Sequence, residues 1–288
     1  MKTMSSLTKA ILALLLIGGV TFVSCKKDSS VNNSQEETAA TVEATQNDAE
    51  AEAEFNDVYD NVISINAGES LGLVDGAGIF GREDSVGRCF TVTVSPATVG
   101  VFPKTVTIDF GTACTGLDGK TRSGKIISVF TGHLAEPGNS VTTTFENYMV
   151  DSFKVEGTHK IVNTSTSNSR SFNIVVSGAK ITRPNGKWFT WDSNKIVVQV
   201  EGNGTPRWPF DDVFEITGAK SGSNSAGITW SATVIEKLIR KGDCRWIVKG
   251  VVSLTRNTNS AVLNYGNGTC DNKATITANG QTIEITLR

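Results

Sequence analysis

The sequence predicts an all-β fold: a curved antiparallel meander of roughly a dozen strands, closed in part as a barrel or sandwich, with one short N-terminal helix. Three observations predict it. Past residue 89, runs rich in Val, Ile, Thr and aromatics alternate with turn clusters: "SVTTTFENYMV", "RSFNIVVSGAKIT", "KWFTWDSNKIVVQV" and "AGITWSATVIEKLI" are separated by "EPGN", "TSNS", "RPNGK" and "NGTPRWP". Five strand-like segments carry a central glycine, at Gly132, Gly157, Gly178, Gly218 and Gly250. A strand glycine marks a bulge, a bend or a close approach, and several in line curve a sheet. The third observation is the placement of four cysteines around turns.

Taken in order, the chain opens with Lys2 and Lys9 ahead of an apolar segment, Ala10 to Val23. It is shorter than the ~20 residues a spanning helix needs, and it has the charged start and small-residue exit of a secretory signal over residues 1–24. The exit reads Phe22-Val23-Ser24-Cys25, and the chain then turns polar. Residues 25–49 offer little to bury, so their composition predicts a disordered acidic tether. As a coil of ~25 residues it would span about 25–30 Å. Within 50–66, the spacing of Phe55, Val58, Tyr59, Val62 and Ile63 predicts a short amphipathic helix docked on the main domain. Residues 67–288 read as a single all-β domain.

Charge is unevenly spread. Without residues 1–24 the chain has 25 Lys+Arg against 29 Asp+Glu, a net charge of −4. Residues 31–60 hold nine acids and no Lys or Arg, whereas residues 61–288 carry +4. That excess is too mild and too scattered for a nucleic-acid partner.

With Cys25 set aside, four cysteines allow three pairings. Cys89 and Cys114 are centred on the turn-like "TVGVFP", and Cys244 and Cys270 on "RNTN". Residues equidistant from a hairpin turn face each other. The spacing therefore predicts disulfides Cys89–Cys114 and Cys244–Cys270, each worth about 3.5 kcal/mol by loop entropy. The two hairpins also repeat each other: "TVTIDFGTAC" against "SAVLNYGNGTC", then "DGKTRSGKIISV" against "DNKATITANGQTIEI". Such self-similarity points to a duplicated unit at the two ends of one domain.

The Val23-Ser24-Cys25 exit resembles a bacterial lipobox, and "CKKDSS" followed by a polar stretch resembles the lipoproteins of Bacteroidota envelopes. The "IDFG" and "LNYG" cysteine segments resemble an uncharacterised Bacteroidota outer-membrane lipoprotein family over most of residues 89–130 and 226–288. The resemblance implies lipid attachment at Cys25. Since Lys26 is not the aspartate that retains lipoproteins at the inner membrane, it also implies an outer-membrane address, periplasmic or surface-facing. It brings no activity and no functional residues. Asp84-Ser85-Val86 resembles the short O-glycosylation site of the same group.

No catalytic set, cofactor site or metal site assembles from the residues. "GAGIFG" (76–81) matches G-x-G-x-x-G, but "REDSVGRCFTV" follows it instead of a helix, so it is discarded. "SGSNSAG" lacks the G-x-S-x-G elbow. His133 and His159, each shortly after a strand glycine, read as half-exposed strand histidines. Asp109 has Asn264 as its repeat counterpart, so a turn-capping oxygen explains both. Asp211 and Asp212 read as a solvated acidic turn. Trp188, Phe189, Trp191, Trp208, Phe210, Trp230 and Trp246 read mainly as core, with some available to a sugar or an acyl chain. The expectation is a non-enzymatic, membrane-anchored binding or structural module, with a polysaccharide or lipid as ligand. The alternatives are a glycosidase-like hydrolase, which needs two convergent carboxylates with one desolvated, and a lipid-binding carrier. The sequence fixes no oligomeric state.

Overall fold

The computed structural model describes residues 29–64, 89–116, 118–205 and 209–288. Among these residues are one α-helix, α1 (Ser29–Ser64), a single 3-10 turn at Pro209–Asp211 and fourteen strands. The strands are β1 (Thr91–Ser95), β2 (Lys104–Asp109), β3 (Cys114–Thr115), β4 (Thr121–Phe130), β5 (Ser140–Val150), β6 (Phe153–Asn163) and β7 (Ser171–Thr182), then β8 (Trp188–Glu201), β9 (Val213–Asn224), β10 (Thr229–Lys241), β11 (Ile247–Arg256), β12 (Asn259–Asn267), β13 (Lys273–Ala278) and β14 (Gln281–Thr286).

All belong to one antiparallel sheet. Its order follows the sequence from β1 to β14, with the short β3 paired beside β4, and the ladder does not return from β14 to β1. A meander forms because each β-rich run is followed directly by a turn, so the next run folds back beside it. Alternation gives each strand one buried face. In β8, Phe189, Trp191, Ser193, Lys195, Val197 and Gln199 point inward, while Asp192, Asn194 and Ile196 are exposed.

Curvature comes from interrupted registers. The pairing slips at Ser123/Lys125, Glu156/Thr158, Val176/Ala179, Thr233/Leu238 and Lys249/Val251, which forms a belt of bulges across the sheet. Gly157, Gly178, Gly218 and Gly250 lie on this belt with positive φ, as the glycine pattern predicts. Gly157 shows why glycine is needed: at φ 120° a Cβ would sit 2.6 Å from Ala179 Cα on the next strand. Gly132 is a correction, because it lies beyond the end of β4 and outside the belt. Gly124, which the pattern missed, takes a bulge position in β4 instead.

Both disulfides are present, Cys89–Cys114 and Cys244–Cys270, with Cα atoms 5.2 and 5.7 Å apart. The first bridge does not close a simple two-stranded hairpin. The β1–β2 register (Thr91↔Asp109, Ser95↔Thr105) centres on Gly100 and would put Gly111 opposite Cys89. The chain turns at Gly111 and returns to Cys114 in β3, beside the hairpin instead of within it. The repeat is visible in detail. Asp109 Oδ1 accepts from Gly111 N at 2.9 Å and Asn264 Oδ1 from Gly266 N at 2.8 Å. Asp118 and Asp271 cap the backbone N–H of Lys120 and Lys273 in the same way. The Asp/Asn exchange therefore preserves a turn-capping acceptor.

The helix is the main departure from expectation. It begins at Ser29 and runs 36 residues, so most of the segment expected as a disordered tether (25–49) is helical. The apolar stripe behaves as read: Phe55, Val58 and Val62 are buried, and Tyr59 and Ile63 are partly buried against the core. The helix extends beyond the stripe because the concave face of the sheet supplies cationic partners for its acids.

Candidate functional site

The concave face is a basic trough, and α1 lies in it. Two charge centres and a set of rim contacts hold the helix. At the inner centre, Asp48 and Glu52 stand one helical turn apart and so share a face. Lys195 of β8 donates to Glu52 Oε1 at 2.6 Å. Lys220 of β9 lies 2.9 Å from Glu52 Oε2 and 3.1 Å from Asp48 Oδ2. Trp191 Nε1 donates to Asp48 Oδ1 at 2.8 Å, and its ring stacks on Phe55 at 5.6 Å between centroids. Burial alone would raise the Glu52 carboxyl, but the two ammoniums outweigh it and hold Glu52 far below the usual carboxylate range. Burial, helped by Lys220 and Arg240, outweighs Glu52 at Lys195 and lowers that amine, whereas Asp48 and Glu52 together overcome burial at Lys220 and raise it.

At the second centre, Asp57 accepts from Arg122 of β4 at 2.6 Å and from Arg245 at 3.2 Å. Arg122 is fully buried and is also bound by Asp118 at 2.7 Å. Glu54 fares differently. Arg288 lies 3.1 Å away and Lys120 3.9 Å, and neither carboxylate oxygen has a hydrogen bond. Burial raises Glu54 to about 7 against the pull of Lys120 and Arg288.

Rim contacts continue the pattern along the helix. Arg240 grips Asp60 at 2.5 and 2.6 Å, and Arg183 donates to Asn47 and Glu50. Asn224 donates to Glu43, while Arg256 and Asn259 both donate to Glu37. Eight of the nine acids in residues 31–60 thus meet a hydrogen-bond donor or a cation of the β domain; the ninth, Glu36, is exposed.

A cavity of about 20 Å³ lies between α1 and the β10–β11 connection, beside Glu52, Asp57, Asp60, Arg245 and Tyr265. It has room for about one water. On the outer face, Ser177, Asp192, Asn194 and Ser221, together with Val175 and Ala219, border a shallow depression of mixed lining, about 320 Å³.

The residues singled out from sequence fall as follows. Cys25, the "GAGIFG" segment, Asp84-Ser85-Val86 and Trp208 lie outside the described residues. His159 is a correction: it is 1% exposed, packs 6.0 Å from Phe55 between centroids, and is lowered to about 3 by burial and by Lys195. It is a neutral core residue. His133 sits in the β4–β5 connection with its ring edge-on to Phe102, so the two histidines are not neighbours. Asp212 is also corrected from a solvated turn to a buried carboxyl that accepts from Gln199 at 2.6 Å, raised to about 6 by burial against Arg170. Its neighbour Asp211 is exposed and accepts from Thr205. Phe189, Trp191 and Trp230 are core, Phe210 is 39% exposed, Lys180 covers Trp188 at 5.0 Å, and Trp246 Nε1 donates to the Arg288 carbonyl.

Sequence reasoning missed the acidic helix and its basic receptors. The available signal was the four-residue spacing of Asp48–Glu52 and Glu50–Glu54, together with lysines set among apolar strand residues. Comparisons with protein-family models, curated proteins and solved structures find no match.

Proposed function

We propose that this protein is a lipid-anchored, non-enzymatic module of the outer membrane, attached through Cys25, with α1 as a rigid stem. The observation that carries the reading is the position of α1. It begins four residues after Cys25, a reach of at most ~14 Å. Among the described side chains of α1, Glu37 and Thr38 are the first to reach the sheet, and they meet Arg256, Asn259 and Asn279 at the β11–β12 and β13–β14 turns. On this reading those turns face the bilayer, and the domain keeps a set orientation that a coil would not impose. The two disulfides suit an oxidising compartment. The outer face carries a depression in which Ser177, Asp192, Asn194 and Ser221 stand beside Val175 and Ala219, and this pairing of hydrogen-bonding groups with a small apolar floor suits a sugar ring, so we assign the polysaccharide there.

Stable anchoring needs more than one acyl chain. Cys25→Ser should therefore leave the detergent phase and enter the aqueous phase, with loss of incorporated fatty acid. Unchanged membrane association would remove the anchor. A nitroxide at Asn257 should be broadened by a lipid-soluble relaxation agent more than one at Asp243, near the opposite end of β11; equal broadening would remove the fixed orientation.

A further inference from the structure

We propose that the trough accepts α1 of its own chain or, when two chains fold together, α1 of a second copy in trans, so that two copies pair by trading helices as they fold. The inference is independent of lipid attachment. Among the described residues, the hydrogen bonds between α1 and the sheet are all side chain to side chain, as at Asp48–Trp191, Glu52–Lys195, Asp57–Arg122 and Asp60–Arg240. Among the described residues no backbone ladder ties the helix to its own sheet.

The recognition is written in charge. Buried ion pairs add less stability than apolar packing would, and their best-attested use is to fix partner and register. Here nine bases, Lys120, Arg122, Arg183, Lys195, Lys220, Arg240, Arg245, Arg256 and Arg288, read one acidic helix. A second copy presents the same helix, so every one of these ion pairs re-forms in trans.

Chain length permits the exchange. Residues 65–88 join Ser64 to Cys89, and such a segment extends up to ~80 Å. A compact chain of this size has a radius of gyration of about 19 Å, so the connection outreaches the domain it would have to cross. Exchange of an identical element is a low-cost route to dimers.

Charge-reversed full-length chains test this. One carries Asp48→Lys and Glu52→Lys, the other Lys195→Glu and Lys220→Glu; each sets helix against its own trough. Neither should fold alone. Refolded as an equal mixture, they should give a species of twice the chain mass with blue-shifted tryptophan emission, since Trp191 becomes buried again. A mixture equal to the sum of its parts overturns the proposal when a chain with all four substitutions folds by itself.

If that four-fold chain does not fold, the decision passes to the wild type. ¹⁵N-labelled and unlabelled chains, unfolded together with disulfides intact and refolded at high concentration, should yield mixed-isotope dimers in native mass spectrometry. Chains mixed after folding should not. Monomers alone, or equal mixing in both arms, would overturn it.

Discussion

Glu52 and Glu54 stand two residues apart on one helix, each 1% exposed, yet the protein treats them in opposite ways. Lys195 and Lys220 meet Glu52 at 2.6 and 2.9 Å, with one cation for each oxygen. Glu54 has Lys120 at 3.9 Å and Arg288 at 3.1 Å, and both cations are shared, Lys120 with Asp57 and Arg288 with Glu50 and Asp151. Coulomb attraction falls as 1/r, so about a third is lost between 2.6 and 3.9 Å, while the burial penalty stays. What separates them is Lys195, a hydrogen-bonded cation with no second acid on it among the described residues, backed by Lys220, which Glu52 shares with Asp48; Glu54 has only shared cations and no hydrogen bond.

The largest expected effect comes from breaking the better centre. Glu52→Gln leaves Lys195 and Lys220 buried without their shared counter-charge, and loss of one partner from a buried pair costs about 3–5 kcal/mol. Urea unfolding at neutral pH should show that loss. A change under about 1 kcal/mol would mean that Asp48 alone neutralises both lysines.

A smaller effect should follow from disturbing the curvature that brings both centres onto one helix. Gly157→Ala sets a Cβ against the Ala179 backbone, and overpacking of this kind costs about 1–3 kcal/mol. At Gly178 the same methyl meets open space and only the positive φ is opposed, so about 1 kcal/mol is expected there. Chemical denaturation of the two variants side by side checks the order; a neutral Gly157→Ala would detach the bulge belt from the fold's stability.

These contrasts mark what was legible in the sequence. Cysteine placement and strand glycines are local signals, and they led to both disulfides and to four positions on the bulge belt. Strand alternation identified the meander for the same reason, since a period of two survives whatever packs on it. The helix before residue 50 was not legible. A segment such as "QEETAATVEATQNDAE" has almost nothing apolar to bury, and composition speaks only about burial against an apolar surface. Its partners are strand residues far along the chain, Lys195 and Lys220 among them, each an ordinary charge in an apolar strand until the sheet curls. The nine acids beside a +4 body were a complementary pair in plain view. Their meeting depends on tertiary structure.

The last prediction concerns Glu54 and has the smallest magnitude but the most specific sign. Its folded carboxyl is raised to about 7, so between roughly pH 4.5 and 7 the folded state holds a proton that the unfolded chain has released. Stability therefore falls as pH rises through that window, and above it the folded protein carries a poorly compensated buried charge. Glu54→Gln removes the titration while keeping the shape. At pH 4, where Glu54 is largely neutral in the folded and the unfolded state alike, the variant and the wild type should agree within about 0.5 kcal/mol. At pH 8 the variant should be more stable by about 1–3 kcal/mol, since a shift of this size is worth a few kcal/mol at most. Paired urea titrations at the two pH values read the difference directly. A variant that is less stable than wild type at pH 8 would show that Arg288, at 3.1 Å, holds Glu54 charged after all. The two acids would then be alike, and the contrast between the centres would rest on Asp57 and Asp48 alone.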